Sequence, residues 1–446
     1  MTEKMIKINR VCIENLHDNK TIDIQNIQEN KLILVGENGT GKTTVANFIF
    51  FLLTGQWWKL IQYTFDYVLI NINGQDLILT YEELDIFKEK LKEELYRDLW
   101  HIERHIERRR SSRESRVSRS EFVLDGDEID TLERRLPGAI EKAVKRKNLY
   151  PVVFEKIKDL TEDLFIFYLP TYRRVERELV LKEPNRTRIF VEDDLEDEFT
   201  DTPKDKYLEL IVFGMSDVET LFKKKMETLS GDLRKGVVNA VMEYFRDIIL
   251  YRYEEPISDE LKNIEPSDIE NMLKRVSEDI LTKDDKSSMM EKIYNQEHKS
   301  KPEVGHFLLK LSSLFIEQDK SESTIRDLVE KCNEYLIGKK IIFDNSDYKI
   351  KINPERGEKP IELNQLSSGE KQLISLLSHI YLTDNKNYFI IIDEPELSLS
   401  VPWQRKFLPD ILSANKSIGL VAVTHSPFIY DNELENFVYS LEDFVG

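Results

Sequence analysis

The stretch Leu32-Ile33-Leu34-Val35-Gly36-Glu37-Asn38-Gly39-Thr40-Gly41-Lys42-Thr43-Thr44 decides how this chain is read. It begins as a short apolar, partly β-branched run, as a buried parallel strand does. It continues as glycine, four residues, then Gly-Lys-Thr, and Val45–Phe51 has the pattern of the first turns of a helix. Strand, glycine loop and helix in that order form a phosphate cradle. Gly36, Gly39 and Gly41 let the backbone bend with its N–H groups turned inward, with Asn38 and Thr44 beside them. The helix N-terminus adds partial positive charge. Lys42 can reach the β- and γ-phosphates and the Thr43 hydroxyl can ligate Mg²⁺, so ATP and Mg²⁺ are the expected cofactors.

Working outward, the 446 residues suffice for two or three domains and a sizeable core. Apolar residues make up 40% and charged residues 33%, which describes a chain with much solvated helix. No apolar run reaches the ~18–20 residues of a membrane span, so no membrane partner is expected. Met1-Thr2-Glu3-Lys4 mixes acid and base and does not read as a secretory leader. Cys12 and Cys332 form neither a framework nor a metal motif and suit a reducing cytoplasm, the expected location. With a net charge of −19, any contact with nucleic acid would have to be a local patch.

Ile6–Ile13 alternates apolar and polar and predicts a half-exposed strand, with Lys20–Ile27 as its partner. Trp57-Trp58 offers either a base platform or, more simply, a packed helix end. Val68–Ile72, Asn73-Gly74 and Leu77–Thr80 spell a hairpin. Leu84, Phe87, Leu91, Leu95, Leu99, Ile102 and Ile106 recur at helical spacing. That helix runs into Arg104, Arg108, Arg109, Arg110, Arg113, Arg116 and Arg119, interleaved with serines. These are either a contact for an acidic partner or nucleic acid, or a solvated loop. Phe165–Leu169 reads as a buried strand followed by Arg173 and Arg174, and Val191–Lys206 as an acidic linker. From Tyr207 to Ile337 the pattern is helical, with capping boxes at Ser216/Glu219 and Ser267/Glu270. One apolar stripe runs from Val218 through Phe222, Met226, Leu229, Leu233, Val237 and Val241 to Phe245, with Gly231 and Gly236 as weak points. Strands return at Lys340–Phe343, Tyr348–Ile352, Tyr388–Ile392 and Gly419–Val423.

Three further motifs follow the phosphate loop in order. Leu366-Ser367-Ser368-Gly369-Glu370 resembles the signature of ABC-type ATPases, Ile390-Ile391-Ile392-Asp393-Glu394-Pro395 their Walker B strand, and His425 their switch histidine. The resemblance implies an α/β fold, a P-loop NTPase of ABC ATPase type with split N- and C-lobes and a helical insertion. The lobes are expected at 1–200 and 339–446 and the insertion at 201–338. It also implies Asp393 and Thr43 as Mg²⁺ ligands, and Glu394 with His425 as the catalytic pair acting on water. Ser367, Ser368, Gly369 and Glu370 would act in trans on the ATP of a second copy, so a homo-oligomer is implied.

The separation of phosphate loop and signature by a mainly helical stretch is similar to SMC, RecF and OLD-family heads and unlike transporter motors. Tyr168–Glu176, Leu366–Gln372 and Asp393–Gln404 resemble the stand-alone ATPase subunits of two-gene bacterial antiphage systems. The AriA family of PARIS comes first, with the Septu and retron-associated ATPases beside it. Those ATPases often carry histidine where this chain has Ser400. The resemblance implies an antiviral scaffold and sensor controlling a separate effector nuclease of TOPRIM or HNH type, set off by a phage-encoded trigger protein. The alternative is a RecF- or SMC-like DNA-repair or DNA-end-binding ATPase.

Overall fold

A computed structural model describes residues 6–17, 20–37, 39–110, 139–170, 207–209, 215–252, 266–276, 278, 280–295, 301–357, 359–383, 387–414 and 417–446, with backbone alone at 96–110, 139, 207–209 and 216. Asn38, the side chains of the arginine cluster, Thr171–Glu176 and the acidic linker Val191–Lys206 lie outside these described residues. The chain forms two compact units, Met1–Ile211 with Asn385–Gly446, and Val212–Asp384. The signature turn, expected in one lobe with Asp393 and His425, thus groups with the helical segment.

In the first unit, β1 (Ile8–Leu16) pairs antiparallel with β2 (Lys20–Ile24), and β3 (Lys31–Val35) leads through the glycine loop into α1 (Lys42–Thr54). Val45, Ala46, Phe48, Ile49, Phe50, Leu52 and Leu53 of α1 are all buried, as in a helix enclosed by core on most sides. Then come the hairpin β4 (Tyr67–Ile72) and β5 (Gln75–Thr80), then α2 (Tyr81–Arg110), α3 (Ala139–Lys147), α4 (Val152–Leu160), β6 (Leu164–Leu169) and β7 (Tyr207–Glu209). Asn73 and Gly74 have φ of 55° and 82°, the left-handed pair that matches hairpin twist. β1 also pairs with β4, so two β elements separate in sequence make one sheet, β2-β1-β4-β5. Trp57 and Trp58 are 0% and 5% exposed, and the Trp57 indole N–H donates to the Leu149 carbonyl at 2.8 Å. They pack the core and form no base platform.

The second unit holds α5 (Met215–Ile249), α6 (Pro266–Arg275), α7 (Lys283–Tyr294), α8 (Pro302–Asn333), the antiparallel pair β8 (Lys339–Asp344) and β9 (Lys349–Pro354), and α9 (Ser368–Leu382). The α5 stripe is buried through Val237, but Phe245 is 58% exposed, and Ala240 and Asp247 turn inward instead. Four successive steps of four residues from Leu229 carry a position about 160° round a helix, which takes Phe245 off the inner face. A Cβ on Gly236 would lie 2.3 Å from Leu314 Cδ1, so this glycine marks a close helix approach and not a weak point. The capping boxes stand elsewhere than expected. Helices α5 and α6 start at Met215 and Pro266, which puts Ser216 and Ser267 inside the first turn. Proline's fixed φ opens α6 in serine's place. Among the described residues the boxes formed are Thr282/Asp285 at α7, Ser367/Glu370 at α9 and Glu362/Gln365 at the short 3-10 turn Leu363–Gln365.

The chain returns to the first unit with β10 (Asn387–Asp393), α10 (Val401–Ser413), β11 (Ser417–Val423) and β12 (Val438–Ser440). The six-stranded sheet runs β12-β3-β11-β10-β6-β7, all parallel. Phe389, Ile390, Ile391 and Ile392 are at most 1% exposed, because both faces of a parallel sheet are covered.

Candidate functional site

Three neighbouring parallel strands end level with one another, and that edge carries the site. Val423 of β11 stands opposite both Leu34 of β3 and Asp393 of β10. Backbone bonds continue past the ends: Thr424 N–H donates to Leu34 O at 3.0 Å, and Glu394 N–H to Val423 O at 2.8 Å. The carboxyl ends of strands in an open α/β sheet are where such folds bind ligands.

From β3 the glycine loop turns into α1. Gly39 and Gly41 have φ of 81° and 107°, in the region that favours glycine. Gly41 caps α1 with no side-chain hydrogen bond, leaving the first helical N–H groups to a ligand. Lys42 is 4% exposed, and its ammonium donates to the carbonyls of Gly36 at 2.9 Å and Glu37 at 2.6 Å. Burial lowers the Lys42 pKa, against the pull of Asp393, Glu394, Glu442 and Glu396. The Thr43 hydroxyl donates to Asp393 Oδ2 at 3.0 Å, across 350 residues of chain. A hydroxyl and a carboxylate together are hard oxygen donors, the set that holds Mg²⁺ when phosphate oxygens and water complete its shell. Among the described residues no group of three or more His, Cys, Asp or Glu is placed to hold a metal without such help.

Glu394 follows Asp393 with φ of 48°. A left-handed glutamate is costly, and such outliers gather at functional sites. The loops after β10 and β11 are tied together by Glu396, which the sequence reading did not single out. Its carboxylate accepts from the Thr424 hydroxyl at 2.8 Å and the backbone N–H groups of His425 and Ser426 at 2.8 and 3.1 Å. Gln404 adds a second tie, accepting from the Ser426 hydroxyl at 2.6 Å and donating to Leu399 O at 2.9 Å. His425 is thereby fixed by its backbone while the residue stays exposed. The only sequence signal for Glu396 is a third acid just past Asp393-Glu394-Pro395.

In the second unit Ser367 is the N-cap of α9. Its N–H and its hydroxyl both donate to Glu370 Oε2 at 2.9 Å, and Glu370 N–H donates back to the hydroxyl. Ser368 and Gly369 form the first helical turn. The structure therefore brings Gly36, Gly39, Gly41, Lys42, Thr43, Thr44, Asp393, Glu394 and His425 to one strand edge, and gives Ser367–Glu370 a helix N-terminus of their own.

A family model described as AAA ATPase domain matches residues 6–430. Curated protein sequences give no match. Among solved structures, the chain is similar to a Smc head domain with an extended coiled coil, bound to the C-terminal domain of ScpA, from Pyrococcus furiosus. Identity is 12%, with 95% of this chain and 91% of that one covered, at a TM-score of 0.36. It is also similar to an SmcHead bound to the C-winged helix domain of ScpA, at 10% identity, the same coverage and a TM-score of 0.36. With strand, phosphate loop and parallel sheet arranged as an α/β P-loop NTPase and the family match spanning nearly the whole chain, the protein belongs to the AAA ATPase domain family.

Proposed function

We propose that this protein is an ABC-type ATPase of SMC, RecF and OLD-like kind, whose heads pair around ATP and form an oligomeric scaffold and sensor for a separate effector nuclease in antiphage defence. The observation that carries the ATPase part is the strand edge, where Lys42, the Thr43–Asp393 pair and Glu394 converge. Lys42 leaves the loop carbonyls for the β- and γ-phosphates, and the N–H groups at the start of α1 take the remaining oxygens. Thr43 and Asp393 are the residues that would hold Mg²⁺, which when bound would supply charge neutralisation for the phosphates. Glu394 orients the attacking water and accepts its proton. His425, held by Glu396 through its backbone N–H, takes the switch-histidine role that its resemblance implies. Ser367 and the N-terminus of α9 come from a second copy and close the pocket. The defence role rests on the resemblance of Leu366–Gln372 and Asp393–Gln404 to ATPase subunits of two-gene antiphage systems. There the partner nuclease is of TOPRIM or HNH type and the trigger is phage-encoded.

Light scattering with and without ATP and Mg²⁺ tests the assembly, and co-purification with the product of the neighbouring gene tests the effector. The expected result is an ATP-dependent oligomer that retains a nuclease partner. A strict monomer with full ATPase activity rules out the paired heads. ATP hydrolysis stimulated by DNA, with steep salt dependence, would favour the DNA-repair alternative.

A further inference from the structure

Lys339 opens β8 in a stretch that no motif marks. Its ammonium lies 3.0 Å from Glu370 Oε2, the same oxygen that accepts from the N–H and hydroxyl of Ser367. The Lys339 and Glu370 side chains are 19% and 8% exposed. Three donors therefore converge on one carboxylate oxygen at the start of a helix of 15 residues. A capping box needs only the reciprocal serine–glutamate bonds, so the lysine is an addition to it.

The addition answers an electrostatic problem. On the reading above, Ser367 and the N-terminus of α9 receive the γ-phosphate held by a second copy. Yet the Ser367 hydroxyl is already committed to an anion. Burial pushes the Glu370 carboxyl up, but the Ser367 N–H, Lys339 and the Ser367 hydroxyl outweigh it and hold the group below its ordinary range. Glu370 is thus charged at neutral pH. A bare carboxylate one hydrogen bond from the phosphate-binding hydroxyl would repel the incoming triphosphate, and like-charge contacts across an interface are strongly unfavourable. We propose that Lys339 is a positioning residue for the signature turn: it holds the Glu370 carboxylate neutralised against β8, so that Ser367 and the first N–H groups of α9 meet phosphate without a bare negative charge beside them. The inference rests on the paired-head reading of the preceding section.

The test compares wild type, Lys339→Met, Glu370→Gln and the double variant. Methionine keeps the stem, and glutamine keeps an oxygen to accept from Ser367. The readouts are the ATP concentration giving half-maximal dimer in light scattering, nucleotide affinity of the separate chains by equilibrium titration, and the melting temperature. Lys339→Met should need about tenfold more ATP, or beyond, to pair. Glu370→Gln sets the reference value, whatever its own shift, and the double variant should fall within about threefold of it, since removing the carboxylate removes the need for the lysine. Nucleotide affinity of the separate chains should be equal in all four. If Lys339→Met pairs at the wild-type ATP concentration, or the double variant is no better than Lys339→Met, the inference is overturned while the paired-head reading stands. A Lys339→Met protein that melts lower and is not rescued shows a structural lysine only, which overturns it too. If wild type stays monomeric at saturating ATP while titration shows normal binding, the paired-head reading falls and takes this inference with it.

Discussion

Lys42 is a cation that the fold has taken out of water and left on its own loop's carbonyls. That is a poor resting place, and burial lowers its pKa accordingly. A triphosphate is the better partner, so ATP binding should pull the ammonium off Gly36 and Glu37. Lys42→Ala is expected to lower ATP affinity ~30-fold or more by calorimetry, since losing a buried charge-assisted contact costs ~2–5 kcal/mol. The pH dependence has a definite sign. Only the protonated lysine attracts phosphate, and its pKa in the free protein lies below the ordinary lysine value. Affinity should therefore decline with rising pH sooner than an ordinary lysine predicts, and Lys42→Ala should flatten that decline. On the proposed mechanism Glu394 has a different task, orienting and deprotonating the attacking water. Glu394→Gln should keep ATP binding and lose turnover by ~10²–10⁴, the usual cost of removing a general base. A variant hydrolysing at the wild-type rate would assign the water to another group.

At the scale of elements, the candidate site is assembled because β3, β10 and β11 end in register, and part of this was legible in the sequence. Leu32–Val35, Tyr388–Ile392 and Gly419–Val423 are apolar runs followed at once by the residues now found at the edge, and strand-then-motif is a pattern local to the chain. The Asn73-Gly74 hairpin was legible for the same reason. What was not legible is pairing over distance. Nothing near Glu396 announces Thr424, His425 and Ser426 about thirty residues on, and nothing near Lys339 announces Glu370. The three-residue strand β7 is too short to leave a period, and the pairing of β1 with β4 is decided by packing. The second unit has such a hidden element in Glu322 of α8. It is fully buried, bonds Arg275 of α6, and accepts from the Tyr348 hydroxyl at 3.0 Å. Gln318 donates to that hydroxyl at 2.9 Å and to Leu229 O at 3.1 Å, which ties in α5. Glu322→Ala leaves Arg275 as an uncompensated buried charge, and should cost ~3–5 kcal/mol in denaturant unfolding. A loss under about 1 kcal/mol would mean that Arg275 reaches water in solution.

For the whole molecule the question is whether one chain makes one complete ATP site or half of two. One sequence carries one phosphate loop and one signature turn, and these belong to different compact units. If the units of one chain complete each other, a defect in either should act within that chain alone. If two copies complete each other, complementary defects can be repaired by mixing. Ser367→Arg adds bulk and charge at the N-cap of α9 and leaves the glycine loop untouched, so its ATP binding by titration should match wild type. Lys42→Ala has the opposite defect, an intact signature and no lysine for the phosphates. Each variant alone should be inactive. In a mixed pair, the intact loop of the Ser367→Arg chain meets the intact signature of the Lys42→Ala chain, while the other pocket carries both defects. Random one-to-one mixing makes about half of the pairs mixed, each with one sound pocket of two, so hydrolysis should recover to about a quarter of wild type when the pockets act independently. Recovery should also rise with protein concentration, as a bimolecular site requires and an intramolecular one does not. If both variants prove inactive alone and the mixture gives no more than their sum at every concentration, independent pockets built in trans are ruled out. If Ser367→Arg hydrolyses ATP alone at the wild-type rate, the signature has no part in the reaction and the site is complete within the first unit.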